Sequence, residues 1–127
     1  MVGHRAMNSE TFATTCQWAP PQLLRDLDSG ASGFVAEMIA DFTTDTATRL
    51  QHLRRAAADA DSSRVRAEVH AIRGSAREMG ADAMVKLCLE IELKARDPNG
   101  SNIQDRVQEL EARFGEVSSA MARYSRG

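Results

Sequence analysis

Much of what would announce a chemistry at first reading is missing from this 127-residue chain. Only two cysteines occur, Cys16 and Cys88, in neither a CxxC nor a zinc-type spacing, so no redox dithiol or zinc cluster is written in the sequence. No apolar run approaches the ~18 residues of a membrane span, and nothing resembles a secretory h-region. The expectation is a cytoplasmic protein with no membrane contact. The net charge is -2, which supplies no basic field to hold nucleic acid. Neither β-strand alternation, nor an internal repeat, nor a low-complexity tract is present. Metal chemistry fares no better. There is no HExxH, the residue three before His70 is Ala67 rather than the Glu of a bundle di-metal site, and His4 and His52 are out of register with His70. No serine or cysteine pairs with a histidine and an acid in a recognisable local pattern.

What is present is helical amphipathicity. The length fits one domain, and 43% apolar residues suffice to bury a core without disulfide or metal staples. Residues 1–19 show no sustained period and read as a flexible lead-in. Residues 20–127 read as one helical unit. Pro20 and Pro21 suit a helix start, since proline at the first helical position loses no hydrogen bond; a short helix over 21–28 follows, broken by Ser29, Gly30, Ala31 and Ser32. From 33 to 58, Val35, Met38, Phe42, Leu50 and Leu53 keep a helical phase through a threonine-rich middle. After a polar turn, Asp61 or Ser62 caps the next helix, which Gly80 closes in a left-handed conformation. Asp82 caps a helix running to Arg96 with Met84, Leu87, Cys88, Ile91 and Ala95 inward. Residues 97–100, Asp-Pro-Asn-Gly, form a turn. The last helix begins near Ser101 or Asn102, with Ile103, Val107, Leu110, Phe114, Val117, Met121 and Tyr124 alternating steps of four and three. Four long amphipathic helices on short links predict an all-α, up-down-up-down four-helix bundle with a short additional N-terminal helix across one end.

The informative stretch is 61–80, because it has two faces. Val65, Val69, Ile72, Ala76 and Met79 form an apolar stripe, while Arg66, His70, Arg73, Gly74 and Arg77 share another face. A lone histidine on a polar helix face is ordinarily a solvated surface residue. Gly74 changes the weighing, since a mid-helix glycine costs about 1 kcal/mol relative to alanine and needs a reason in packing or access. One turn beyond His70, it clears the side chain that would crowd the imidazole. A convex, exposed histidine is poorly placed for small substrates but can attack a group that a partner brings to it. Neutral imidazole is a good nucleophile toward phosphorus at physiological pH. Arg73, one turn away, can offer the product a charge-assisted hydrogen bond.

These residues carry a family resemblance. His70, Ile72, Arg73, Gly74, Ser75, Gly80 and Ala81, continuing to Leu87, Cys88, Ile91 and Glu92, resemble the pattern His-x-Leu-Lys-Gly-Ser-Ser-x-x-x-Gly-Ala and then Leu-Cys-x-x-Leu-Glu of the histidine-containing phosphotransfer (HPt) domain. The resemblance covers about residues 20 to 125. Arg73 stands for the commoner Lys, Ile72 for Leu, Ala76 for the second Ser, and Met79 precedes Gly80 where Leu is usual. The resemblance implies a phosphorelay carrier without kinase activity of its own. His70 would take the phosphoryl group, Arg73 would be the phosphate-facing cation, Gly74 the access glycine, and Glu92 would orient the ring. It implies receiver domains of response regulators or hybrid sensor kinases as partners, and no cofactor on this chain, with Mg²⁺ on the receiver. The competing reading is a helical adaptor that binds receiver or kinase domains without carrying phosphate.

Overall fold

The computed structural model describes residues 18–30, 33–97 and 102–126. Five helices follow in order: α1 (Gln22–Gly30), α2 (Phe34–Ala58), α3 (Ser62–Glu78), α4 (Asp82–Arg96) and α5 (Ile103–Arg126). Helices α2 to α5 each pack against their chain neighbours, and α5 closes against α2, while the backbones of α2 and α4, and of α3 and α5, stand apart across the shared core. That ring of neighbours on short links is the up-down-up-down bundle expected from the periodicity. Its core is the sum of the predicted stripes: Val35, Phe42 and Leu53 from α2, Val65, Val69 and Ile72 from α3, Met84 and Ile91 from α4, and Leu110 and Met121 from α5 are all buried. Trp18, just ahead of the boundary read from the sequence, donates its indole N–H to the Met79 carbonyl at 2.6 Å and meets Tyr124 edge-on at 5.7 Å. Tyr124 is therefore the end of the apolar stripe in sequence only; it stays partly exposed beside Trp18.

The links explain where the helices stop. At the end of α3, Ala81 N–H bonds the Ala76 carbonyl at 2.9 Å and Gly80 N–H bonds that of Arg77 at 3.1 Å, with Gly80 at φ +72°. This is a Schellman closure that glycine takes without strain. A Cβ on Gly80 would also lie 3.1 Å from Pro21 Cγ, where the N-terminal segment crosses the hairpin. The same closure ends α2, but there the left-handed residue is Ala60 at φ +54°.

Several expected boundaries move. The first helix runs to Gly30 rather than Asp28, and Asp28 Oδ1 accepts from Val35 N–H at 3.0 Å, capping α2 from the previous helix. Asp61 caps α3 as read, accepting from Arg64 N–H at 3.2 Å. Asp82 does not cap α4: the cap position is Ala81, without a side-chain bond, because the Schellman turn already commits that residue, and Asp82 sits in the first turn, where it favours the helix dipole. Ala31, Ser32 and residues 98–101 lie outside the described residues, as do residues 1–17 with His4 and Cys16.

In the threonine-rich part of α2 the hydroxyls of Thr43 and Thr48 bond back to the preceding turn, to the Ile39 carbonyl at 2.9 Å and to that of Thr44 at 3.3 Å, which satisfies them within the helix. Thr46 instead turns into the core, fully buried, and its Oγ1 has no partner. An unpaired buried hydroxyl costs about 1–3 kcal/mol. Thr46→Val keeps the shape and removes the hydroxyl, so thermal unfolding is expected to show a gain of about 1 kcal/mol. A loss of stability on that substitution would mean that the hydroxyl is satisfied.

Candidate functional site

The apolar stripe of α3 fixes its rotation. With Val65, Val69, Ile72 and Ala76 all buried, the opposite side must carry His70, Gly74 and Ala67 into solvent, and all three are exposed. Arg73 and Arg66 fall between, at the seam with α4, and are half-buried. Helical side chains lean toward the N-terminus, so Arg73 reaches back over the preceding turn. Its Nη2 lies 3.3 Å from His70 Nδ1.

Glu92 completes the group from α4. Among the described residues it is one of two buried polar side chains, at 9% exposure, and its carboxylate meets Arg73 Nη2 at 3.5 Å and Arg96 Nη2 at 3.5 Å. Both contacts are ion pairs longer than the ~2.7–2.9 Å of a tight charge-assisted bond. Glu92 is thus linked to the ring through Arg73, which lies against both. Arg96 was not singled out from the sequence, although its spacing four residues after Glu92 is the one at which helix side chains meet. Cys88, wholly buried beneath Arg73 and Glu92, has its thiol pushed up to about 12, chiefly by burial. It is a protonated core filler rather than a nucleophile.

Gly74 has no internal reason to be glycine. Its φ is not in the left-handed range, and a Cβ built on it meets nothing within 4 Å. The packing explanation is therefore excluded within the chain, and the open surface beside His70 faces outward only. A groove of about 320 Å³ between α2 and α3, lined by Met38, Asp41, Asp45 and Glu78 among others, does not include His70. His52, on α2, lies 3.8 Å from Glu68 and apart from this site. Among the described residues no three of His, Cys, Asp and Glu are grouped to hold a metal, and no helix is long and apolar enough to cross a membrane.

An accessible imidazole, a guanidinium against one of its nitrogens and open backbone beside it thus lie together on the surface of α3. The Hpt domain model matches residues 37–120, from the first turn of α2 to the last third of α5. The chain belongs to the Hpt domain family. The matched span of this Hpt domain contains His70, Arg73, Gly74 and Glu92 together. Among solved structures it resembles the crystal structure of histidine-containing phosphotransfer protein B from Pseudomonas aeruginosa PAO1, with 22% identity, a TM-score of 0.73, and coverage of 81% of this chain and 90% of that one. At that identity the likeness establishes a shared fold. Comparison with curated proteins gives no match. Membership makes the chain a histidine phosphotransfer module of the phosphorelay type.

Proposed function

We propose that this Hpt domain accepts a phosphoryl group on His70 from the phospho-aspartate of a receiver domain and passes it to another receiver, in the cytoplasm. The observation that carries the reading is the exposed imidazole with Arg73 at 3.3 Å and, one turn on, a glycine whose surroundings are empty. In the proposed step the receiver docks over α3 and sets its phosphorus in line with His70 Nε2. The N–P bond forms as the P–O bond to the aspartate breaks, and the bonding pair stays on the aspartate carboxylate. Mg²⁺ held by the receiver neutralises phosphoryl charge; this chain needs no cofactor of its own. Arg73 binds the phosphoryl oxygens of the product. The bundle holds one nitrogen at a fixed height on a surface that two partners can fit, and it has no kinase activity of its own.

The test is transfer from a panel of phosphorylated receiver domains, taken from response regulators and hybrid sensor kinases, to the wild type and to His70→Gln. An acid-labile, alkali-stable phosphoryl group on the wild type alone is expected. Receivers that bind both proteins equally and transfer to neither would instead establish the adaptor reading.

A further inference from the structure

The contact between Arg73 and His70 has a consequence for the nucleophile itself. A guanidinium has N–H donors and no acceptor. At 3.3 Å from Arg73 Nη2, His70 Nδ1 must therefore offer its lone pair. A neutral imidazole carries one proton, so with Nδ1 accepting, the proton resides on Nε2. Nε2 is the nitrogen turned away from Arg73 and open to a partner. Protonated, it has no lone pair with which to attack phosphorus.

We infer that Arg73 holds the resting His70 in the non-nucleophilic Nε2–H tautomer and arms it only on moving from Nδ1 to an arriving phosphoryl group. This rests on the phosphocarrier reading and adds a positioning role for Arg73 that acts before any bond changes. When Arg73 moves, the ring proton passes from Nε2 to Nδ1 through water. Nε2 then forms the N–P bond, the P–O bond to the receiver's aspartate breaks with its electron pair kept by the carboxylate, and the proton stays on Nδ1. The move has little standing in its way. The two tethers of Arg73, to Nδ1 at 3.3 Å and to Glu92 at 3.5 Å, are both long. Glu92 keeps a second cation on its other oxygen, Arg96 at 3.5 Å from Oε2, so the carboxylate stays paired through one oxygen when Arg73 leaves Oε1. The anion that calls Arg73 away is the same one that His70 must attack, and the nucleophile is thereby exposed only in its presence.

The tautomer is read without a partner. Long-range proton–nitrogen correlation spectra of the full chain, recorded where the imidazole is neutral and assigned by the signals lost in His70→Gln, report which nitrogen bears the proton. Nε2–H is expected in the wild type. Arg73→Ala, and Arg73→Gln, which keeps the bulk, should raise the Nδ1–H to Nε2–H ratio roughly fivefold, the worth of one ordinary hydrogen bond. Diethyl pyrocarbonate, a neutral acylating agent with no anionic oxygen to draw Arg73 aside, should modify His70 several-fold faster in both variants, with His52 in the same chain as the unchanged reference. Transfer from a phosphorylated receiver should fall in those variants, opposite in sign to the acylation rate. A wild-type Nδ1–H tautomer, or a tautomer ratio indifferent to Arg73, would overturn the inference while leaving the carrier reading intact. Absence of any phosphoryl uptake by the wild type would count against the carrier reading whatever the tautomer.

Discussion

Gly74→Leu is expected to leave the bundle folded and to reduce phosphoryl uptake by about 10²-fold or more, since a displacement of ~1 Å at a reacting centre is enough to cost that much. The docked receiver must bring phosphorus within ~3–3.5 Å of an imidazole nitrogen, and a leucine one turn along the same face stands in the way. Nothing inside the molecule resists the substitution, because the space around a Cβ at 74 is empty. Replacing glycine by a better helix former should in fact raise stability by about 1 kcal/mol. Gly74→Ala separates the two effects most cleanly: greater stability with slower transfer. Gly115 supplies the control. It too is a mid-helix glycine with empty surroundings, but on α5, diagonally across the bundle from α3. Gly115→Ala should stabilise by a similar amount of about 1 kcal/mol and leave transfer unchanged. Thermal unfolding and single-turnover transfer, measured on the three variants together, decide the matter. If Gly74→Leu transferred at the wild-type rate, the glycine would not be there for access.

Leu53→Ala should act in the opposite way, on the fold and not on the site. Leu53 is fully buried in α2 and is among the largest side chains that are. Truncating it removes favourable transfer and leaves a cavity, a combined loss of about 3–4 kcal/mol. Against a total of roughly 5–15 kcal/mol for a domain, that is a large share. The melting temperature should drop by roughly 15 °C. At low temperature, where the variant is still folded, transfer per folded molecule should match the wild type, because His70 and Gly74 project from the opposite face of α3 and Arg73 lies at its seam with α4. Loss of transfer from a fully folded Leu53→Ala would mean that core packing tunes the site.

How far the sequence could be read depended on which force set each feature. Hydrophobic burial set the helices, and its period is written in the residues themselves: the stripes of α3 and α4 were legible position by position. His70 and Gly74 followed from the same register, since fixing the buried face of α3 fixes the exposed one. Chain reversals were harder. Ala60 takes a left-handed conformation that alanine disfavours, held as its own N–H and that of Asp61 donate to the carbonyls of Ala57 and Ala56 in the last turn of α2, and nothing in its identity signals it. Asp82 looked like a cap, yet backbone bonding had already assigned that place to Ala81. The cap of α2 comes from Asp28, seven residues before the N–H it accepts and in a different helix, which no local capping pattern contains. Glu92 shows the same limit at the site. Its role near the ring came only from the resemblance, and its burial and its pairing with Arg73 and Arg96 depend on how two helices rotate against each other.

The most direct test of the carrier function is to find where the phosphoryl group sits. The chain would be incubated with a phosphorylated receiver that loses its label to it, then digested at alkaline pH, where phosphohistidine survives, and mapped by mass spectrometry. A single phosphoryl group on His70, with none on His4 or His52, is the predicted result. A phosphoryl group on any other residue, or a receiver that docks over α3 and keeps its phosphate, would contradict it.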